Sequence, residues 1–479
     1  MLRESLYING HWVAPAGGTT LKITNPATGD TVEEIGYGDA EDARNAVDAA
    51  HHAFAAWSAK TVYERAAILR RTADLIRENA EALAHTLTRE VGKPLPESRG
   101  EIGAGADQFE WYAEEVKRSA GDVVPNRLAD KRHLTIRHPV GPVAAIAPWN
   151  FPILLTARKI APALAAGCTV IARPAGQACL TLIEVFRLLH DAGFPPGTAN
   201  LVIASPGPCT QIFLDDPRVK KISFTGSLSV GRELYVECAR RMKKISLELG
   251  GHSPFVVMPD ISADEAADRA VFAKFRNMGQ VCISASRFFV PNAIRADFEQ
   301  KAAELASKLR MGNGLDADTD VGPLFQKSRV KQTERFVEDI TSKGGRILCG
   351  GRRPEGDAYA GGNFFMPTVA ADITPDMLIM NEEPFCPILP VIGYDNMDQA
   401  LDMANDTPYG LAAYVATRRL DWAIAAAERI QAGIIGINDC SPAAAQCPFG
   451  GMKSSGVGRE GWRQGLDAYY ETKFVSIGL

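Results

Sequence analysis

The chain has 479 residues, 46% hydrophobic and 23% charged, with 43 glycines and 29 prolines. That mixture excludes a small module, a collagen-like repeat and a disordered chain, and at roughly 100–200 residues per domain it allows about two to four packed cores. Fifty-two Lys and Arg against 57 Asp and Glu leave a net charge of -5, so no basic excess points to a nucleic-acid partner.

Met1–Gly10 lacks an apolar core of signal-peptide length, and no apolar run reaches the ~18 residues of a membrane span. A cytoplasmic protein without a membrane partner is expected. Between Ser5 and Gly36 the chain reads as strands and turns, LYING and then NPATGD, where Pro26, Gly29 and Asp30 supply the turn chemistry of a hairpin. From Asp39 to about Ala120 apolar residues recur at three- and four-residue steps (Ala46, Ala50, Ala53 and Phe54, then Ile68, Leu69, Leu75 and Ile76), which predicts antiparallel helices. Their charged residues, Arg65, Arg70, Arg71, Arg77 and Glu78, read as a solvated face.

Between Pro139 and Leu249 short apolar strands (VAAIAP, CTVIARP, ANLVIA, KKISFTG, KKISLEL) alternate with helices near 153–166, 178–192 and 228–240. This is the βαβ rhythm of a parallel sheet covered by helices. A second α/β alternation follows, with helices near 262–278, 295–309, 327–343 and 397–404 and strands at RFFVP, GRILCGG and ILPVIGY. The last residues, Tyr469–Leu479, alternate like a strand that must pair with 131–140 or with a second subunit.

The nine cysteines form no CxxC pair and the eight histidines show no ligand spacing, so neither a disulfide framework nor a metal site is expected. Four segments carry candidate chemistry. KKISFTGSLSVGRELY places Gly226 and Ser227 between a strand and a helix, a turn whose backbone N–H groups suit an anion; the plain alternative is a tight turn without ligand. Cys282 follows a helix that Gly279 can end, and is either an activated thiol or a packed small hydrophobe. Glu248 precedes two glycines that leave room for a ligand beside a carboxylate able to act as general base. Asn150, in APWNFP, is polar within an apolar neighbourhood, where a turn-forming role is the plain alternative.

The ordered motifs APWNFP, SFTGS, LELGG, GQVC, EEPF and PFGGMKSSGVGRE resemble the aldehyde dehydrogenase superfamily over nearly the whole chain. The resemblance implies an α/β fold with a Rossmann-type cofactor domain (1–120 and 141–249), an α/β catalytic domain (250–450) and a small bridging β element (121–140 and 460–479) that joins subunits into a dimer or tetramer. It implies Cys282 as nucleophile, the amide of Asn150 and the N–H of Cys282 as oxyanion donors, Glu248 as the base that activates water, and Lys159 as an electrostatic helper. Cofactor contacts fall on Gly226, Ser227, Trp149, Glu383 and Phe385. The family's Lys-Pro-x-Glu is replaced by Arg173-Pro174-Ala175-Gly176, which removes an acid that repels a 2′-phosphate and supplies a guanidinium to pair with it, so the cofactor is NAD or NADP. EEPFCP also departs from the family's EExFGP, with Cys386 in place of glycine.

For the substrate, TARK and KFRN resemble succinate-semialdehyde dehydrogenases, where the arginines corresponding to Arg158 and Arg276 bind a distal carboxylate; Ser441, His133 and His138 are further polar candidates. The loop CSPAAAQ carries Ala443 and Ala444 where such enzymes place serine. A small anionic semialdehyde is the leading expectation. Open alternatives are 2-oxoglutarate semialdehyde (ELGGH and AKFRNMGQVCIS resemble bacterial enzymes for it), sulfolactaldehyde, a broad range of aldehydes, or a catalytically silent relative acting as a binding or structural protein.

Overall fold

The computed structural model describes residues 2–479. An eight-stranded sheet forms the first half. Its five central strands are parallel, in the order Lys244–Glu248, Lys221–Thr225, Val143–Ile146, Val170–Arg173 and Ala199–Leu201. Chain order therefore reverses between Val143–Ile146 and Lys221–Thr225. At such a switch point the connections leave to opposite faces and open a crevice beyond the strands' C-terminal ends. Those ends deliver Pro148–Asn150 from one strand and Gly226–Ser227 from the other.

Local sequence explains the helices flanking this sheet. Ala40–Ser58 and Val62–Glu78 each begin with a capping box, Asp39 with Asp42 and Thr61 with Glu64, satisfying N–H groups that would otherwise lack partners. The helix Pro152–Ala166 is buried at every position except Leu154, in keeping with its almost uniformly apolar sequence, and ends at left-handed Gly167. Trp57, 1% exposed, ties the first helix to it by donating from Nε1 to the Leu164 carbonyl at 3.2 Å. One expectation is corrected here: Arg65 is buried and donates to the Ala165 carbonyl at 2.9 Å, because it faces Pro152–Ala166 rather than water.

The second half holds a seven-stranded sheet in the order Arg346–Cys349, Thr368–Ala371, Ile388–Tyr394, Ala285–Pro291, Ser253–Val257, Ala412–Ala416 and Ile434–Ile437, parallel except for its first strand. Four of these strands, Ser253–Val257, Thr368–Ala371, Ala412–Ala416 and Ile434–Ile437, are not legible as strands, since short buried runs such as AAYVA have no alternation to distinguish them from helix. The helices Pro206–Asp215 and Leu420–Arg429 are likewise additional. A further correction concerns the segment before Cys282: the helix Ala263–Phe275 stops before Gly279, and Asn277, Met278 and Gly279 all take positive φ (45°, 54° and 72°).

Tyr470–Gly478 pairs antiparallel with Lys131–Pro139 along its full length, from Tyr470 opposite Pro139 to Gly478 opposite Lys131. Gly456–Val457 instead extends the first sheet beside Lys244–Glu248. No helix among the described residues is long and apolar enough to cross a membrane.

Candidate active site

Where the two large sheets face each other, a cavity of about 110 Å³ is lined by Trp149, Asn150 and Leu155 from the first switch-point loop and by Thr225, Gly226 and Ser227 from the second. Cys282, Arg329, Glu383 and Phe385 close it from the other half of the chain. Seven of the residues singled out in the sequence therefore meet around one space.

Cys282 sits in a turn in which the Ser284 N–H donates to the Val281 carbonyl at 2.9 Å. Its thiol borders a small apolar cluster containing Phe151, Leu155, Val281, Ile283 and Phe449. Burial pushes the thiol up to about 12, opposed chiefly by the Arg158 guanidinium. The ligand-free protein therefore holds Cys282 as a thiol. The Asn150 amide donates to the Gln280 carbonyl at 3.1 Å, leaving its second N–H for the cavity. The backbone N–H of Cys282 has no acceptor among the described residues. Two uncommitted donors thus flank the sulfur, an arrangement suited to an oxygen that gains negative charge.

Glu248 lies behind the cavity wall, 2% exposed, and neither carboxyl oxygen has a hydrogen-bond partner. Burial, followed by the nearby Glu460 carboxylate, holds its carboxyl well above the usual range, opposed by Lys159 and Arg158. Of the two glycines after it, Gly250 borders the cavity, but neither has free space where a side chain would stand. A Cβ on Gly250 would lie 2.2 Å from Glu383 Oε2, and one on Gly251 would lie 2.6 Å from the Cys282 carbonyl oxygen. They admit protein groups instead, and Glu383 is fixed there by accepting from the Gly251 N–H at 3.1 Å. Burial pushes Glu383 up to about 7.

Lys159 is fully buried, donating to Glu460 Oε1 at 2.5 Å and Thr225 Oγ1 at 2.6 Å. Its ammonium is committed to Glu460 and reaches Glu248 only through the field it creates. Trp149 stacks on Phe325 with centroids 4.2 Å apart and meets Phe385 edge-on at 5.8 Å; Arg329 stands 6.0 Å and 5.6 Å from the Trp149 and Phe385 rings. Arg329 and Phe325 belong to no motif noted in the sequence, and only the structure brings Arg329 to the cavity and Phe325 against Trp149 in its wall.

Arg173 ends its strand 9% exposed, donating to the Ala204 carbonyl at 3.2 Å, and its Nε has no partner. Beside it, a Cβ on Gly176 would lie 2.9 Å from a terminal methyl of Leu21 and 3.2 Å from the Tyr37 ring. Neither residue lines the small cavity. Arg173 is the last residue of the strand that neighbours Val143–Ile146, and Gly176 lies beyond its C-terminal end.

The two arginines associated with the substrate occupy the apolar side of Cys282. Arg158, 4% exposed, lies 3.9 Å over the Phe449 ring with no hydrogen-bonded acceptor among the described residues, and Arg276 lies 5.3 Å from the Phe151 ring. Arg276 also lines a wider cavity of about 650 Å³ together with Glu97 and the exposed Ser441. His133 and His138 are corrected: they lie on the strand Lys131–Pro139, His133 against Phe474 at 5.2 Å and His138 beside the Pro139 carbonyl at 2.9 Å, and line neither cavity.

Residues 12–475 match the model of the aldehyde dehydrogenase family. The chain is 42% identical to 3-sulfolactaldehyde dehydrogenase of Pseudomonas putida over 478 residues, covering 100% of this chain and 98% of that one. It is also 42% identical to the NADP(+) succinate-semialdehyde dehydrogenase of Escherichia coli K12 over 479 residues, with the same coverage. Among solved structures, betaine aldehyde dehydrogenase of Staphylococcus aureus in complex with NAD+ superposes with a TM-score of 0.97 at 35% identity, covering 100% of this chain and 95% of that one.

Because burial raises the Cys282 thiol, its thiolate fraction grows about tenfold per pH unit at any pH below the raised value. Alkylation of Cys282 by iodoacetamide, followed by peptide mass spectrometry on the cofactor-free protein, should keep accelerating from pH 7 through pH 10. A plateau below pH 9 would contradict the buried-thiol geometry.

Proposed function

The chain belongs to the aldehyde dehydrogenase family, and from that premise we propose that it oxidises a small aldehyde with a distal anionic group, such as succinate semialdehyde, to the carboxylic acid. Membership makes it an oxidoreductase that uses NAD or NADP. The observation that carries the anionic substrate is the pair of guanidinium groups over Phe449 and Phe151, the two rings packed beside Cys282.

The residues present fit a dinucleotide. The helix Leu228–Arg240 presents its first turn at the cavity with no side-chain cap on Ser227, leaving N–H groups for a pyrophosphate, while the unpartnered Nε of Arg173 stands farther along the same sheet edge. Gly226, Ser227 and Arg173 would hold the phosphates, with Trp149, Glu383 and Phe385 at the ring and ribose nearest Cys282. The chemistry such a cofactor supplies when bound is hydride acceptance.

In this reading the Cys282 thiol releases its proton to solvent, a step that the Arg158 guanidinium favours, the sulfur attacks the aldehyde carbon, and the resulting oxyanion accepts hydrogen bonds from the Asn150 amide and the Cys282 N–H. Loss of hydride from that thiohemiacetal carbon leaves a thioester on Cys282. Glu248 then takes a proton from the water that hydrolyses it. Glu248 gives up no hydrogen bond in turning towards the sulfur, since both its oxygens lack partners, and Lys159 and Arg158 favour the carboxylate form that a base needs. Arg158 and Arg276 hold the far carboxylate, with Ser441 at the outer rim. The strand pair 131–139 and 470–478 is the element that joins subunits in a homo-oligomer.

Equal identity to a sulfolactaldehyde enzyme supports a second reading, in which the same arginines hold a sulfonate on a shorter aldehyde. Assay of both aldehydes with both cofactors decides between them. For the anion clamp, Arg276→Ala should cost about 2–5 kcal/mol in kcat/KM for the charged substrate while propanal turnover changes little; equal losses for both would point to a general aldehyde oxidase. For the cofactor, Gly176→Glu places a carboxylate beside Arg173 at the expense of moving the Leu21 methyl. It should lower NADP use relative to NAD by about tenfold, ~1.4 kcal/mol, and an unchanged ratio would place the 2′-phosphate elsewhere.

A further inference from the structure

The sequence G-K-P-L-P-E-S-R-G-E places Lys93 just before the helix Leu95–Glu115 and spaces Glu97 and Glu101 four residues apart in its first two turns, on one side of it. None of the three is a surface charge in the ordinary sense. The Lys93 and Glu101 side chains are 0% exposed and paired at 2.6 Å. Such a pair is expensive to bury and stays charged only if its remaining hydrogen-bonding capacity is used, so the other partners of the two groups are informative.

Lys93 Nζ donates to the main-chain carbonyl of Asn150 at 2.7 Å and lies 3.8 Å from the Phe151 ring centroid. The second oxygen of Glu101 accepts from the N–H groups of Ile153 at 2.9 Å and Leu154 at 3.4 Å, the first turn of the helix that follows Asn150. Glu97 accepts from the Asn277 N–H with both oxygens, at 3.1 and 3.0 Å. Asn277 is the first of the three left-handed residues that lead into Cys282. Its side chain also donates to the Asn150 carbonyl at 3.3 Å, and Gln280 Nε2 closes the turn on the Asn277 carbonyl at 3.1 Å.

We infer that Lys93, Glu97 and Glu101 are positioning residues: together the start of this helix and the residue leading into it fix the loop carrying Asn150 relative to the turn carrying Cys282, and so set the spacing of the two oxyanion donors. This inference rests on the oxyanion reading given above. None of the three touches the reacting atoms. Lys93 and Glu101 act through the Asn150 backbone, and Glu97 through the backbone of Asn277. A left-handed asparagine costs free energy that a strong acceptor on its N–H offsets. Donors displaced by about 1 Å lose much of their worth at a transition state.

The test is a double-mutant cycle on the first-turnover burst of reduced nicotinamide, using the fastest aldehyde of a semialdehyde panel. Lys93→Met is combined with Glu101→Gln so that no buried charge is left unpaired. The pair should slow the burst about 10- to 100-fold with cofactor affinity, read by tryptophan fluorescence, unchanged. On an Asn150→Ala background the same pair should cause little further loss, because its effect passes through Asn150. Glu97→Ala should slow the burst similarly, and Glu97→Gln, which keeps an acceptor for the Asn277 N–H, should recover most of that loss.

Additive losses on the Asn150→Ala background, an unaltered burst in the Lys93/Glu101 pair, or a parallel loss of cofactor affinity would each overturn the inference. An Asn150→Ala protein with a full burst would overturn the oxyanion reading itself, and this inference with it.

Discussion

Asn150 and Cys282 hang from different sheets, and everything proposed for the site requires them to stay within one hydrogen-bonding arrangement of each other. The bond that enforces this runs from the Asn150 amide to the Gln280 carbonyl, two residues before the nucleophile candidate. It forms only because the helix Ala263–Phe275 stops early and three successive left-handed residues turn the chain back. A regular helix to Gly279 would carry the Gln280 carbonyl along the helix axis and away from Asn150. The topological reversal in the first sheet supplies the other half of the arrangement, since it opens the crevice at the place where Pro148–Asn150 and Gly226–Ser227 emerge.

Around that junction the buried interior is unusually charged. Glu248, Glu460, Lys159 and Arg158 are all nearly inaccessible to solvent, yet only Lys159 and Glu460 are paired. Leaving the Glu248 carboxyl without a partner is unfavourable for folding, and burial shifts it towards the less costly neutral form. An unpartnered buried acid close to a raised thiol is an arrangement a structural core has no use for, whereas a reaction that moves protons at the sulfur does. The Arg158 guanidinium has a similar character, facing an aromatic ring without an acceptor in its own chain.

Much of this was legible in the sequence, for definite reasons. The five parallel strands of the first sheet follow from apolar runs bounded by turns, and the terminal strand follows from its alternation, while the choice of 131–139 over a second subunit as its partner comes from the fold. The candidate residues Asn150, Gly226, Cys282 and Glu383 stood in motifs, and they line one cavity. What escaped was whatever depends on contacts across the fold. Ala412–Ala416 carries no periodic signal because it is buried on both faces. The room beside Gly250 could not be assigned to Glu383, 133 residues away, from local pattern. Arg65 looked like surface charge because only tertiary packing brings it to the Ala165 carbonyl. Lys93, Glu97 and Glu101 had a readable four-residue spacing, but charged residues at that spacing ordinarily mark a solvated face.

The central claim is that the Cys282 sulfur carries the acyl group. It is tested most directly by quenching a Glu248→Gln protein during turnover of succinate semialdehyde with NADP and mapping the adduct by peptide mass spectrometry. Removing the base should slow hydrolysis more than acylation, so the account predicts a succinyl group accumulating on the peptide that contains Cys282 and on no other. Acid product formed at the full rate without any adduct, or an adduct on another cysteine, would contradict it.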